Sequence, residues 1–132
     1  MAYALDSNVI IDYLNKNASV MAKFRDVAKS KTLMIIPAVV NYEIMRGFYH
    51  TKNTDKEVNY TKIRQHCPVD EVDSAIWDCA ALLWSNLRKA RRNIGDADIL
   101  IAAHCIINGY TLATHNTKHF QCINNLIVED WT

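Results

Sequence analysis

Asp6, Glu43 and Asp98 are the residues of this 132-residue chain whose type and placement most invite chemistry. Magnesium and manganese prefer hard oxygen ligands, so a site for them needs carboxylates that converge from separate elements. Asp6 follows the apolar run Tyr3-Ala4-Leu5, Glu43 lies in a segment of helical pattern, and Asp98 opens another after Gly95. Without a cation such acids repel one another and at least one is harder to ionise. An ion held there would acidify water and stabilise charge at a phosphodiester, and a second ion about 4 Å away could assist the leaving oxygen. The products would be a 5′-phosphate and a 3′-hydroxyl.

Each acid also has an ordinary explanation. Asp6 suits a helix cap. Asp96 and Asp98 both fall in a first helical turn, where the dipole favours negative charge, and Asp96 is read first as a capping residue. Glu43, between Tyr42 and Ile44, would alone be a solvated surface residue. Their combination points to a metal site, in which Asp96 is the weaker candidate ligand.

The elements that must position these residues follow from hydrophobic period and punctuation. Tyr3-Ala4-Leu5 is predicted as a strand, and Asp6-Ser7-Asn8 caps a helix through Val9, Ile10, Tyr13 and Leu14. A second helix is expected over residues 20–30 and a buried strand over 32–36, ended by Pro37. Residues 38–48 are predicted helical, with Gly47 and the polar run His50-Thr51-Lys52-Asn53-Thr54 marking a break, and Val58 to Ile63 continues as a helix. Cys67-Pro68-Val69 reads as a short strand, and Asp73 caps a long helix carrying Ile76, Ala80, Leu83, Trp84 and Leu87. Gly95-Asp96 starts a further helix that Gly109 ends; residues 111–114 and 126–128 are late strands. Strands alternating with helices imply an α/β fold, with right-handed crossovers and a parallel sheet covered on both faces. Such sheets hold ligands beyond the carboxyl ends of their strands. Asp6 stands at one such end and Thr114-His115-Asn116 at another.

Composition narrows the setting. The length suits one compact domain, 1–132, and a net charge of +1 means that nucleic-acid binding needs local basic patches. Arg88, Lys89, Arg91 and Arg92 form one such candidate for guiding a phosphate backbone, although cations at a helix end also offset its dipole. The cysteines have no C-x-x-C spacing and are expected as buried reduced thiols. No apolar stretch reaches the ~20 residues of a membrane helix, and the opening residues lack a secretory pattern, so a cytoplasmic protein with no membrane partner is expected. Trp77 and Trp84 are read as core or dimer contacts rather than base-stacking platforms.

The same residue types admit other chemistries. His115, His119 and Cys122 have partial zinc spacing but lack a fourth ligand, leaving His119 as a surface residue and His104 as a helical packing residue. A metal-free ribonuclease would need two histidines, such as His104 and His115, as acid and base. Dinucleotide binding needs a glycine-rich turn after the first strand, and the only glycines are Gly47, Gly95 and Gly109.

Four segments in order resemble the PIN-domain family, and within it the VapC-type toxins of bacterial toxin–antitoxin pairs. They are Tyr3-Ala4-Leu5-Asp6-Ser7-Asn8-Val9-Ile10-Ile11, Asn41-Tyr42-Glu43-Ile44-Met45-Arg46-Gly47, the stretch from Ile94-Gly95-Asp96-Ala97-Asp98 to His104, and the tail from Gly109 through Phe120 to Val128-Glu129-Asp130-Trp131. The resemblance implies a PIN-like three-layer α/β/α sandwich with about five parallel strands. It also implies endoribonuclease activity dependent on one or two Mg2+ or Mn2+ ions, an RNA substrate such as tRNA or rRNA, a cognate VapB-like antitoxin and a homodimer. Asp6, Glu43 and Asp98 would be the acidic core, and Ser7 would support Asp6. Asn116 stands where many members have a fourth acid, so it orients water without adding charge. That departure leaves open an inactive PIN-like module that binds RNA or protein without cutting it.

Overall fold

The computed structural model describes residues 2–132. Strand β1 (Ala2–Leu5) is the centre of a five-stranded sheet whose order is β3-β2-β1-β4-β5. On one side it pairs with β2 (Leu33–Pro37), Ala4 opposite Ile35, and β2 pairs with β3 (Val69–Asp70), Ile36 opposite Val69. On the other it pairs with β4 (Thr111–Ala113), Leu5 opposite Ala113, and β4 pairs with β5 (Val128–Glu129). All four pairings are parallel. Helices α1 (Ser7–Leu14), α2 (Ala18–Lys29), α3 (Ala38–Thr51), α4 (Thr54–His66), α5 (Ser74–Lys89) and α6 (Asp96–Asn108) make the outer layers of an α/β/α sandwich.

The apolar runs read as strands are buried because both faces of a parallel sheet are covered. Leu5, Ile36, Leu112 and Ile101 of α6 are fully enclosed in one continuous apolar cluster. Helix starts follow side-chain capping: Asn17, Asn53 and Asp73 accept from the backbone N–H of Val20, Lys56 and Ile76. Gly109 closes α6 at φ 70°, a left-handed conformation that glycine adopts without steric cost.

Several boundaries move. α3 continues past Gly47 to Thr51 and ends at Lys52, whose φ is 57°, so the break falls at Lys52-Asn53. α4 starts at Thr54, four residues before Val58, because Asn53 caps it. Cys67 belongs to the end of α4, donating its N–H to the Ile63 carbonyl at 2.8 Å, which pushes the third strand on to Val69–Asp70. The last strand likewise starts at Val128, after Asn125 at φ 67°. A short helix, α7 (Thr117–Phe120), was not expected and follows β4. All four cysteines are unpaired thiols: Cys67 and Cys105 are buried, Cys79 and Cys122 partly so. Among the described residues no helix is long and apolar enough to cross a membrane.

Candidate functional site

Chain direction around the sheet reverses at β1: β2 and β3 are laid down on one side, β4 and β5 on the other. Such a switch leaves a crevice past the carboxyl ends of the two strands that flank it. Asp6 immediately follows β1 and Thr114 immediately follows β4, and the Thr114 hydroxyl donates to Asp6 Oδ2 at 2.8 Å. Asp6 is 3% exposed, and its backbone N–H continues the ladder to the Ala113 carbonyl. It is also the N-cap of α1, its Oδ1 accepting from the Ser7 backbone N–H at 2.8 Å. Capping and site roles therefore coincide in one side chain, and Ser7 supports it through its amide.

Glu43 comes from α3 and Asp98 from the first turn of α6. Burial pushes the Asp6 carboxyl above its ordinary range, the Thr114 hydroxyl and Ser7 amide pull it back, and the Asp98 charge raises it again. Burial likewise raises Glu43, with Asp6 and then Asp98 adding to the shift and Arg46 opposing it. Asp6 thus feels the Asp98 charge, and Glu43 feels the charges of both, across long separations in sequence. Glu43 Oε1 is buried and has no hydrogen-bond partner among the described residues. Buried polar atoms are nearly always satisfied, so an orphaned carboxylate oxygen beside two other acids fits a cation ligand. Among the described residues no group of three or more His, Cys, Asp or Glu side chains is gathered closely enough to hold a metal ion.

Sequence reasoning missed three members. Asn8 Nδ2 reaches both Asp6 Oδ2 and Thr114 Oγ1 at 3.3 Å, while its Oδ1 accepts from the His115 N–H. Thr114 is fully buried and accepts from the Asn116 N–H at 3.0 Å. His119 is exposed, as expected of a surface residue, but its Nε2 lies 2.8 Å from Asp98 Oδ2. The signal available for the first two was their position after apolar runs; His119 had none, because α7 is shorter than any readable period.

The remaining candidates lie elsewhere or play other parts. Asp96 does not cap α6: the N-cap is Gly95, with no side-chain bond. It faces a groove with Trp77, Trp84, Ile99 and Leu100, away from Asp98, since helix residues two apart do not share a face. Trp77 and Trp84 are exposed, so they are not core residues. Asn116 precedes α7 and its side chain makes no cap bond. Arg88 and Lys89 end α5, with the Arg88 guanidinium 4.9 Å over the Trp84 ring; Arg91 and Arg92 follow, and Arg92 borders Ile106 and Cys122. His104 is buried with Nε2 2.8 Å from Asp70, whereas His115 pairs with Asp12, so the two do not form an acid–base pair.

The PIN domain family model matches residues 3–124, and the chain belongs to the PIN-domain family, in its VapC-type branch. Ribonuclease VapC2 of Rickettsia felis is 30% identical over 134 residues, covering 99% of this chain and 98% of that protein. The tRNA(fMet)-specific endonuclease VapC of Shigella flexneri is 29% identical over 138 residues, covering 100% and 99%. Among solved structures, VapBC2 from Rickettsia felis bound to a DNA fragment from their promoter is similar with a TM-score of 0.93 and 27% identity, covering 100% of both chains.

Proposed function

We propose that this chain, 1–132, is a single PIN domain acting as a Mg2+- or Mn2+-dependent endoribonuclease, the toxin of a VapBC-type pair. The observation that carries this reading is the buried, unpartnered Glu43 oxygen in a charge environment shared with Asp6 and Asp98. Asp6, Glu43 and Asp98 would hold one or two ions, all through oxygen, the donor set hard divalent cations take. Bound there, a divalent ion supplies acidified water and charge stabilisation at a phosphodiester. The chain's own contribution is alignment. Thr114, Asn8 and the Ser7 amide fix Asp6 from three directions, so its carboxylate is set before any ligand arrives. Burial of Asp6 keeps bulk water from screening its charge, which strengthens its pull on a cation.

Carboxylate chemistry does not need the ribose 2′-hydroxyl, so RNA as substrate rests on the similarity to ribonucleases, and a tRNA loop on the similarity to the tRNA(fMet)-specific relative. A VapB-like antitoxin partner rests on the similarity to a VapBC complex. A homodimer, a cytoplasmic location and Arg88, Lys89, Arg91 and Arg92 as a phosphate guide belong to the same proposal.

Asn116 at the position of a fourth acid favours a second reading, a non-cutting module that binds RNA or protein. Cleavage of total RNA by the purified chain, with manganese, with chelator and with Asp98→Asn, decides between them. Cutting that needs manganese and is lost in the variant is expected. Chelator-resistant cutting, or full activity in the variant, overturns the site; no cutting of any RNA leaves the binding module.

A further inference from the structure

We propose that His119 is a positioning residue for the metal site: its Nε2–H holds Asp98 Oδ2 and so aims the other carboxylate oxygen at the ion. This rests on the metal-dependent reading above. The 2.8 Å contact joins α7 to the first turn of α6. Asp98 Oδ1 has no hydrogen bond among the described residues, so one oxygen is held and the other is left for a ligand.

The histidine is itself held in place. Phe120, 1% exposed, anchors α7 in the core and takes the His119 ring edge-on at 5.3 Å and 79°. The His119 N–H donates to the Asn116 carbonyl at 3.0 Å, and its own carbonyl accepts from the Cys122 thiol. The segment after β4 therefore serves both aspartates: Thr114 grips Asp6 Oδ2, and five residues later His119 grips Asp98 Oδ2. Two carboxylates on different elements are set by one short stretch of backbone. A carboxylate that ligates a metal works best when its second oxygen is hydrogen-bonded, and removing such a partner typically lowers metal affinity 10- to 100-fold.

Calorimetric titration of Mn2+ into the purified chain tests this with His119→Ala, His119→Gln and Asp98→Asn. Glutamine puts an N–H donor close to where histidine has Nε2. The expected result is a loss of about tenfold or more in Mn2+ affinity for His119→Ala, and an affinity within about threefold of the parent for His119→Gln. Wild-type affinity in His119→Ala, or equal loss in the alanine and glutamine variants, overturns the positioning role while leaving the metal site standing. Absence of Mn2+ binding by the parent chain, or parent-like binding by Asp98→Asn, overturns the metal reading itself. Thermal unfolding of each variant shows whether a lost affinity comes with a lost fold; a His119→Ala chain that unfolds like the parent yet binds weakly supports the proposal.

Discussion

At the scale of single residues, the acids work against the fold that contains them. Glu43 is raised above the ordinary carboxyl range by burial first and by Asp6 and Asp98 next. A carboxyl raised in the folded state favours folding while both states are protonated, and that advantage disappears as pH rises through the folded value. Removing the charge should therefore matter only where it exists. In chelator, Glu43→Gln is expected to melt with the parent near pH 4 and a few degrees above it at pH 8. With saturating Mn2+ the order at pH 8 should reverse, because a ligand has gone. Scanning calorimetry at the two pH values checks this, and an equal gap at both would show that packing, not charge, sets the difference. Asp6 is raised by burial in the same direction, with Thr114 and Ser7 returning part of what burial takes.

At the scale of elements, the C-terminal strand shows how a two-residue pairing is held. Glu129 of β5 accepts from the Tyr3 hydroxyl at 2.9 Å, the Trp131 indole at 3.1 Å and Lys23 of α2 at 3.0 Å. Burial alone would raise Glu129, but Lys23, Tyr3 and Trp131 outweigh it and hold the carboxyl below its ordinary value. The sign is opposite to Glu43: this stabilisation is present above the unfolded value and is lost as pH falls through the folded one. Glu129→Gln should thus lower the urea midpoint at pH 7 and lose that deficit toward pH 3; an undiminished deficit in acid would mean that shape rather than charge is at work. β5 also marks the limit of sequence legibility. β1 and β2 were readable because four or five successive apolar residues need burial on both faces, whereas β5 and β3 have two residues each and take their register from neighbours. α7 has four residues, too few for a helical period, and His119 was hidden with it. Asp6, Glu43 and Asp98 were legible by residue type and element, yet Thr114 and Asn8 became site members only once β1 and β4 lay side by side.

At the scale of the whole molecule, the candidate ligands arrive from β1, α3 and α6, three elements that share no local sequence. The sheet order relates them: with β1 central and strand order reversing beside it, the carboxyl ends of β1 and β4 lie side by side. A cation held there would tie the first, middle and later parts of the chain, so its binding energy becomes folding energy. At 100 times Kd the gain is about 2.7 kcal/mol, which for a chain of this length raises Tm by about 10 °C. Mn2+ added to the parent chain should produce that shift, and the shift should grow from pH 5 to pH 8, because the acids must shed protons to bind. Asp98→Asn should show little of it at any pH. Differential scanning fluorimetry across Mn2+ concentration and pH is the measurement. An unmoved Tm in the parent, or the same rise in Asp98→Asn, would leave the three acids as neighbours without a shared ion.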